Sequence, residues 1–422
     1  METQGEMNFH IQEGSFIANY MEWMSEHETP EIYDLMCAIW CLSLALGREV
    51  IVDRPRAPVH LNTYMILVSE SGIMRKSTSI NAALSIVREF HRLTNSPMLL
   101  VESKITMGAM LDDLARSSLN TGTSQMVLVA SELAAMLGRG AQIGGVPALL
   151  TDLYDCPAER VGGGSIHTGT LTFTNCYASF LAGSTPSWLE RAVRPEIIAG
   201  GFTSRCYFVT GKVRKRLVAW PAGKGNTDAK SKLITQLMEL QRDSHAHARI
   251  GINDTAKDTF TRWYAERPLH KDTFRESFES REDAHVLRLA GLMAVNERQW
   301  EISDDHVRRS IGLVGVLKRC GTDLFTGAEI ERYDVKVLRK MRGEILAAGA
   351  IGIGRSELYK NLMVSGRGRQ EFHHLLNTMH ELELVRVIEV PTQGRTKRVY
   401  VATEYLRNEL LLGEVVRKLG ME

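Results

Sequence analysis

Residues 64–78 read Tyr64-Met65-Ile66-Leu67-Val68-Ser69-Glu70-Ser71-Gly72-Ile73-Met74-Arg75-Lys76-Ser77-Thr78. Five apolar residues without polar alternation predict a strand buried on both faces. A short loop follows, then Lys-Ser and a helical pattern from Ile80. Strand, tight loop, Lys-Ser and helix are the layout of a phosphate-binding loop, in which backbone N–H groups point at phosphate oxygens. In that layout Lys76 meets the β- and γ-phosphates of ATP, and the Ser77 hydroxyl ligates Mg²⁺. Ser71, Gly72, Arg75 and Thr78 complete the candidate cradle. Glu70 and Arg75 stand where the usual G-x-x-x-x-G-K-[ST] pattern has glycines. An ordinary strand-to-helix turn has the same outline, so the neighbouring elements must decide.

Outward from the loop, further apolar runs recur at Met98–Val101, Met126–Ala130, Leu171–Phe173, Phe180–Gly183 and Arg205–Val209, separated by helical patterns. Such runs predict an α/β zone over 58–225 with a mainly parallel sheet covered on both faces. The run Met126–Ala130 ends in Ser131-Glu132. An acid at the end of a buried strand beside a phosphate loop is placed to polarise an attacking water, which makes Glu132 the candidate base. Ser131 occupies the position where an Asp commonly serves Mg²⁺, and Asp152 or Asp155 is a candidate substitute. The hydroxyl of Ser184 or Thr185, at the end of the next run, is the candidate sensor of the γ-phosphate. Arg205, leading into the last strand, is the candidate arginine that reaches a neighbouring subunit's phosphate.

The flanks read differently. Residues 1–57 are helical, broken near Thr29-Pro30, with Cys37 and Cys41 one turn apart on a face read as buried. Residues 226–330 are helical throughout. Residues 331–422 hold three helices and a hairpin turning at Pro391-Thr392-Gln393-Gly394, the outline of a winged helix-turn-helix. Arg367 and Arg369 at its third helix, with Arg395, Lys397 and Arg398 on the wing, are candidate DNA contacts. His373, His374 and His380 are read as solvated helix residues rather than metal ligands.

A chain of 422 residues exceeds a single core. Its net charge of +1 conceals an uneven distribution. Residues 1–53 hold ten acids and one base, residues 191–220 seven bases and one acid, and residues 333–422 fifteen bases and eleven acids. The basic segments direct attention to nucleic acid, with Lys212, Arg214, Lys215 and Arg216 lining a DNA channel or forming a solvated loop. Six scattered cysteines fit a reducing cytoplasm rather than a disulfide scaffold. No apolar run is long enough for a membrane span, and METQGEM does not open a secretory signal.

With these elements in order, the chain resembles the P-loop helicase-like ATPases of phages and integrative elements. The resemblance is carried by Ser71–Thr78, Leu128–Leu133, Leu153-Tyr154-Asp155, Ala182–Pro186 and Gly201–Arg205. An Arg-Lys-Ser loop is typical of that group. The stretches Arg281–Ala290 and Ile302–Val307 are similar to the lid of the minichromosome-maintenance type of AAA+ helicase, which implies that Arg281 or Arg288 is a second sensor. Together these likenesses imply a P-loop NTPase core of AAA+ or RecA-like type, and ATP hydrolysis between subunits of a homo-oligomeric ring, with a hexamer as the candidate size. They also imply single-stranded or forked DNA as partner, a primase or replication protein as a further one, and the host cytoplasm if a phage encodes the chain. The alternative is a DNA-binding initiator or regulator that binds nucleotide with little turnover.

Overall fold

The computed structural model describes residues 10–102, 106–133, 145–162, 170–192, 201–219, 227–268, 270, 273–326, 333–362, 369–381, 384–392 and 395–403. The break expected at Pro30 separates helix α1 (Phe16–Trp23) from α2 (Glu31–Leu46). Helix α2 is apolar nearly all round, so it belongs inside a core rather than on its edge. Every one of its residues after Glu31 is buried, Cys37 and Cys41 among them. The short strands β1 (Ile51–Val52) and β2 (Val59–His60) follow, and then β3, the run Tyr64–Val68.

Strand β3 sits in a five-stranded sheet whose other members come later in the chain: β4 (Leu99–Val101), β5 (Gln125–Ala130), and, with β6 (Glu159–Val161) and β7 (Thr172–Thr174) lying elsewhere, β8 (Tyr177–Ser184) and β9 (Cys206–Thr210). Its order is β4-β5-β8-β3-β9 and every pairing is parallel. All residues of β3, β5 and β8 are buried, so both faces of the sheet's middle are covered, as the absence of alternation predicts. The register sets Tyr64 level with Cys206 and Phe180, and Val68 level with Thr210 and Ser184. Helix α3 (Lys76–Thr94) leaves β3 through the loop 69–75, and α4 (Met107–Thr121) leads into β5.

Two expectations are corrected. Leu171–Phe173 does not join the main sheet: Thr172–Thr174 (β7) pairs antiparallel with Glu159–Val161 (β6) as a separate ribbon. The zone 226–330 is not helical throughout, because Arg249–Ile252 (β10) and Glu301–Ile302 (β11) are strands. They form a second sheet, β11-β10-β1-β2, with the residues just after α2. Accordingly one compact unit, Met1–Phe325, takes in what reads in sequence as arm, core and lid.

The second unit is Thr326–Glu422. It contains helices Tyr333–Ala347, Arg355–Leu362 and Arg369–Glu381, with strand β12 (Ile353–Gly354) after the first helix. A hairpin of β13 (Val385–Thr392) and β14 (Arg395–Ala402) completes a three-stranded antiparallel sheet, β12-β14-β13. The strands run further than expected, taking Pro391 and Thr392 into β13; that strand is an edge, where a proline is tolerated. Met341, Ile345, Leu358, Phe372, Leu376 and Met379 supply its own core. Among the described residues of either unit no helix is long and apolar enough to cross a membrane.

Candidate phosphate-binding site

The loop after β3 starts from a fixed point. The Val68 carbonyl accepts from the buried Tyr33 hydroxyl at 2.7 Å, and Ser69 N donates to the Ser184 carbonyl at 3.3 Å. The backbone then takes positive φ twice, at Gly72 (φ 74°) and at Arg75 (φ 52°). A non-glycine residue in the left-handed region carries a penalty of roughly 1–2 kcal/mol. Arg75 is therefore the residue where a glycine would be least strained, and its side chain is fastened: its Nε donates to Glu28 Oε2 at 2.7 Å.

Helix α3 begins at Lys76 without a side-chain cap, leaving the amide groups of its first turn unclaimed by any neighbouring hydroxyl or carboxylate. Ser71, Gly72, Arg75, Ser77 and Thr78 are exposed around that turn. Lys76 is buried, and its Nζ donates to the Ser69 carbonyl at 2.5 Å, Ser69 Oγ at 3.1 Å and the Glu70 carbonyl at 3.3 Å. Burial pushes the Lys76 pKa down, while the nearby carboxylates of Glu132 and Glu70 pull it up. Glu132 itself is exposed at the end of β5, within electrostatic reach of the loop lysine but not paired with it among the described contacts.

The two candidate sensor hydroxyls part ways here. Thr185 Oγ1 accepts from Trp188 N at 3.3 Å and so caps the helix Pro186–Ala192. Ser184 lies one residue earlier at the end of β8, beside β3; its Oγ is fully buried and has no hydrogen-bond partner among the described residues. Buried hydroxyls are almost always satisfied, so an orphaned one next to an uncapped helix start fits a phosphate oxygen or its attendant water. Sequence reasoning missed Gly183. A Cβ there would run into the Ser131 carbonyl, so glycine is what lets β8 and the end of β5 approach closely enough to hold Glu132 in place.

The metal assignments fit less well. Ser77 offers an exposed hydroxyl on the first turn of α3, and Ser131 is exposed after β5. Asp152 is paired with Arg160 at 2.9 Å. Asp155 is paired with Arg205 at 2.9 Å and with Arg281 at 3.1 Å. Neither aspartate substitutes for the missing strand-end acid. Among the described residues no three His, Cys, Asp or Glu side chains gather into a metal-binding group. Were Mg²⁺ to bind with the phosphates, the exposed Ser77 hydroxyl is where the loop would hold it.

The predicted arginines collect at the other end of the sheet. Arg205 immediately precedes β9, level with the start of β3, so the length of a five-residue strand, roughly 16 Å, separates it from the loop. Its side chain is 8% exposed, donating to Asp155 and to the Gly201 carbonyl at 2.8 Å. Arg288 is buried, donates to the His60 carbonyl at 2.9 Å and lies 4.7 Å from the Tyr154 ring centroid; Arg205 lies 5.7 Å from the same ring. Among the described residues Arg205 Nε and Arg288 Nη1 are buried with no hydrogen-bond partner, and both guanidiniums lie over the Tyr154 ring. His285 donates from Nε2 to the Ser204 carbonyl at 2.8 Å, so its Nδ1 accepts from the Tyr207 hydroxyl at 3.0 Å. Burial, then the Arg288 charge, push its pKa down to about 3. None of Arg205, Arg281 and Arg288 reaches the chain's own loop.

The basic segment is engaged as well. Lys212 pairs with Asp323 at 3.7 Å, Arg214 with Glu28 at 3.2 Å and Arg216 with Glu26 at 2.8 Å. Lys215 pairs with the fully buried Asp34, which also accepts from Thr29 and from Ser79 of α3. A phosphate there would have to compete with carboxylates. The opposite charge excesses of 1–53 and 191–220 were the only sequence signal for these pairs. In the second unit Arg367 lies outside the described residues. Arg369 opens the third helix, and Arg395 and Lys397 stand on β14 opposite Thr392 and Val390. Arg398 is exposed and paired with Glu389 at 3.0 Å. His373 accepts from Arg355, and His380 is exposed; His374 falls where side chains are not described.

Set against known proteins, the chain matches no family model and no curated sequence, so its own geometry has to carry the functional argument.

Proposed function

We propose that the chain binds ATP at residues 69–78 and hydrolyses it. The observation that carries this reading is convergence: the Lys76 ammonium, the Glu132 carboxylate and the orphaned Ser184 hydroxyl meet at the carboxyl ends of neighbouring parallel strands, where α/β sheets bind ligands. The order β4-β5-β8-β3-β9, with one strand between the loop-bearing and acid-bearing strands, agrees with an AAA+ core. When bound, ATP supplies a γ-phosphoryl group that water can accept, and Mg²⁺ neutralises its oxygens. Lys76 then exchanges loop carbonyls for phosphate oxygens. Glu132 orients and deprotonates the water, and Ser184 donates to an oxygen of the reacting group.

The resemblance in sequence extends the reading to a DNA helicase or replication motor of a phage or mobile element. The helix-and-hairpin order of the second unit supports a winged helix as one DNA contact. Arg205 and Arg281 stand far from the chain's own loop, so a role for either in hydrolysis requires a second copy in an oligomeric ring and release from Asp155. The test is DNA-stimulated ATP hydrolysis by the wild type and Lys76→Ala: the variant loses hydrolysis, and equal rates would remove the ATPase reading.

One observation favours a nucleotide-binding initiator with little turnover: Asp155 holds Arg205 in the interior. Glu132→Gln separates the two readings. A motor loses about 100-fold or more in turnover at unchanged nucleotide affinity, whereas an initiator has no turnover to lose.

A further inference from the structure

Glu28 touches three parts of the chain at once. Its carboxylate accepts from Arg75 of the phosphate loop at 2.7 Å, from Arg214 at 3.2 Å and from the Val218 amide at 3.1 Å. Around it, Arg216 pairs with Glu26, and Lys215 donates to the Met24 carbonyl at 2.6 Å and to Asp34. Residues 24–34 and 214–218 are therefore zipped together, mainly by charge, and the phosphate loop is tied to the zip through one residue.

The bonds in the zip are not equivalent. Asp34 is fully buried and Lys215 nearly so, and separating them would leave the carboxylate unpaired in the interior, so this pair is an anchor. Arg75, Arg214, Arg216 and Glu26 are partly or largely open to solvent, and pairs of that kind are worth only about 0.2–1 kcal/mol each. They can change partners at little cost. Glu26 and Glu28 stand two residues apart, as do Arg214 and Arg216, so the acidic turn presents a short regular row of negative charge to a matching row of guanidiniums. Val213 and Leu217 on either side of that row are exposed, at 62% and 77%.

We propose that Arg214 and Arg216 form a binding surface for a nucleic-acid backbone, that the acidic turn at Glu26 and Glu28 occupies this surface as a stand-in, and that a polyphosphate at residues 69–78 releases it by drawing Arg75 away from Glu28. This rests on the reading of the loop as the nucleotide site. Arg75 adjoins Lys76, so phosphate oxygens in the cradle compete directly with Glu28 for its guanidinium. Without Arg75 the Glu28 carboxylate loses one of two cations, and the contact to Arg214 becomes exchangeable for a phosphate. A regular polyanion is the partner the paired spacing fits. An acidic protein segment is the other class, and the experiment decides against one of them.

The test measures anisotropy of a labelled single-stranded oligodeoxynucleotide titrated with the full chain, with and without a non-hydrolysable ATP analogue, while binding of the analogue is followed separately. The analogue tightens wild-type binding about 10-fold, and Glu28→Gln reaches that affinity without it. Adding Arg214→Gln and Arg216→Gln to Glu28→Gln restores weak binding and lowers the log–log salt slope by about two. Arg75→Gly, which removes the tie to Glu28, raises affinity for the oligonucleotide in the absence of the analogue, as Glu28→Gln does. Unchanged affinity in Glu28→Gln, with analogue binding intact and an unaltered melting curve, overturns the proposal. Equal competition by polyglutamate and by the oligonucleotide overturns the choice of nucleic acid. Failure of the wild type to bind the analogue overturns the nucleotide reading instead, and Glu28→Gln against wild type in plain buffer still decides whether the surface is masked.

Discussion

At the carboxyl ends of β3 and β8, one ammonium is bonded to its own loop, one hydroxyl has no partner among the described residues, and a helix begins without a side-chain cap. Toward the amino end of β3, the guanidiniums of Arg205 and Arg288 lie over Tyr154, Arg205 and Arg281 are joined to Asp155, and a neutral histidine is wedged between Tyr207 and Ser204. Both ends are rich in polar groups, yet they are built for different ends. The first has donors whose present partners are replaceable backbone carbonyls. The second has donors held by a carboxylate and by aromatic faces, a fixture joining β9 to the helix Glu282–Asn296. A cluster of arginines is thus no guide to a ligand until its partners are known.

Three measurements can break or sharpen that contrast. The largest effect of a single substitution is expected from Gly183→Ala at the carboxyl end. Its added methyl meets the Ser131 backbone, and overpacking of this kind costs about 1–3 kcal/mol. Denaturant midpoints should show that loss together with reduced ATP turnover, because Glu132 moves with Ser131; an active, fully stable variant would mean that the close approach is dispensable.

The amino end should respond to acid. His285 and His60 are held at about 3 and about 4, below the ordinary 6.5, chiefly by burial and further by neighbouring arginines. The unfolded chain therefore takes up protons that the folded chain refuses, and stability present above about pH 6.5 is lost as the pH falls toward those values. At pH 5 each histidine accounts for about 2 kcal/mol. Unfolding midpoints between pH 7.5 and pH 5 should fall accordingly, and less so in His285→Gln; identical profiles would place the acid sensitivity elsewhere.

The smallest effect is expected from Asp155→Asn. Asp155 is half exposed, so water compensates in part, and the loss should be about 1–2 kcal/mol. Nucleotide binding at the opposite end should be unaffected in an equilibrium titration. A change there would show that the two ends communicate.

What could be read directly from sequence was local. Tyr64–Val68, Met126–Ala130 and Phe180–Gly183 are strands because uninterrupted apolar runs of that length have few other options, and the loop between Val68 and Lys76 is fixed by its neighbours. Pairing was not legible. Nothing in Ile51–Val52 announces Arg249 as a partner, and β7 resembles a core strand until Glu159–Val161 is seen beside it. Charge told half the story: the acidic and basic excesses were visible, but the same arithmetic fits a docking surface for another molecule and a set of internal ion pairs. Glu28 and Asp34 chose the second through contacts some 180 residues away in sequence. The left-handed Arg75 and the orphaned Ser184 depend on backbone angles and burial, which no single residue type encodes.

The small sheet that joins Ile51–Val52 to Arg249–Ile252 also sets a timetable. A ribosome adding 5–20 residues per second needs roughly 10–40 s to reach the later strand after the earlier one has emerged. Throughout that interval one side of β1 stays without its neighbour, and the apolar α2 just before it waits for the layers that will enclose it. The first unit can complete its fold only late in synthesis, so the growing chain is where a chaperone would have the most to protect.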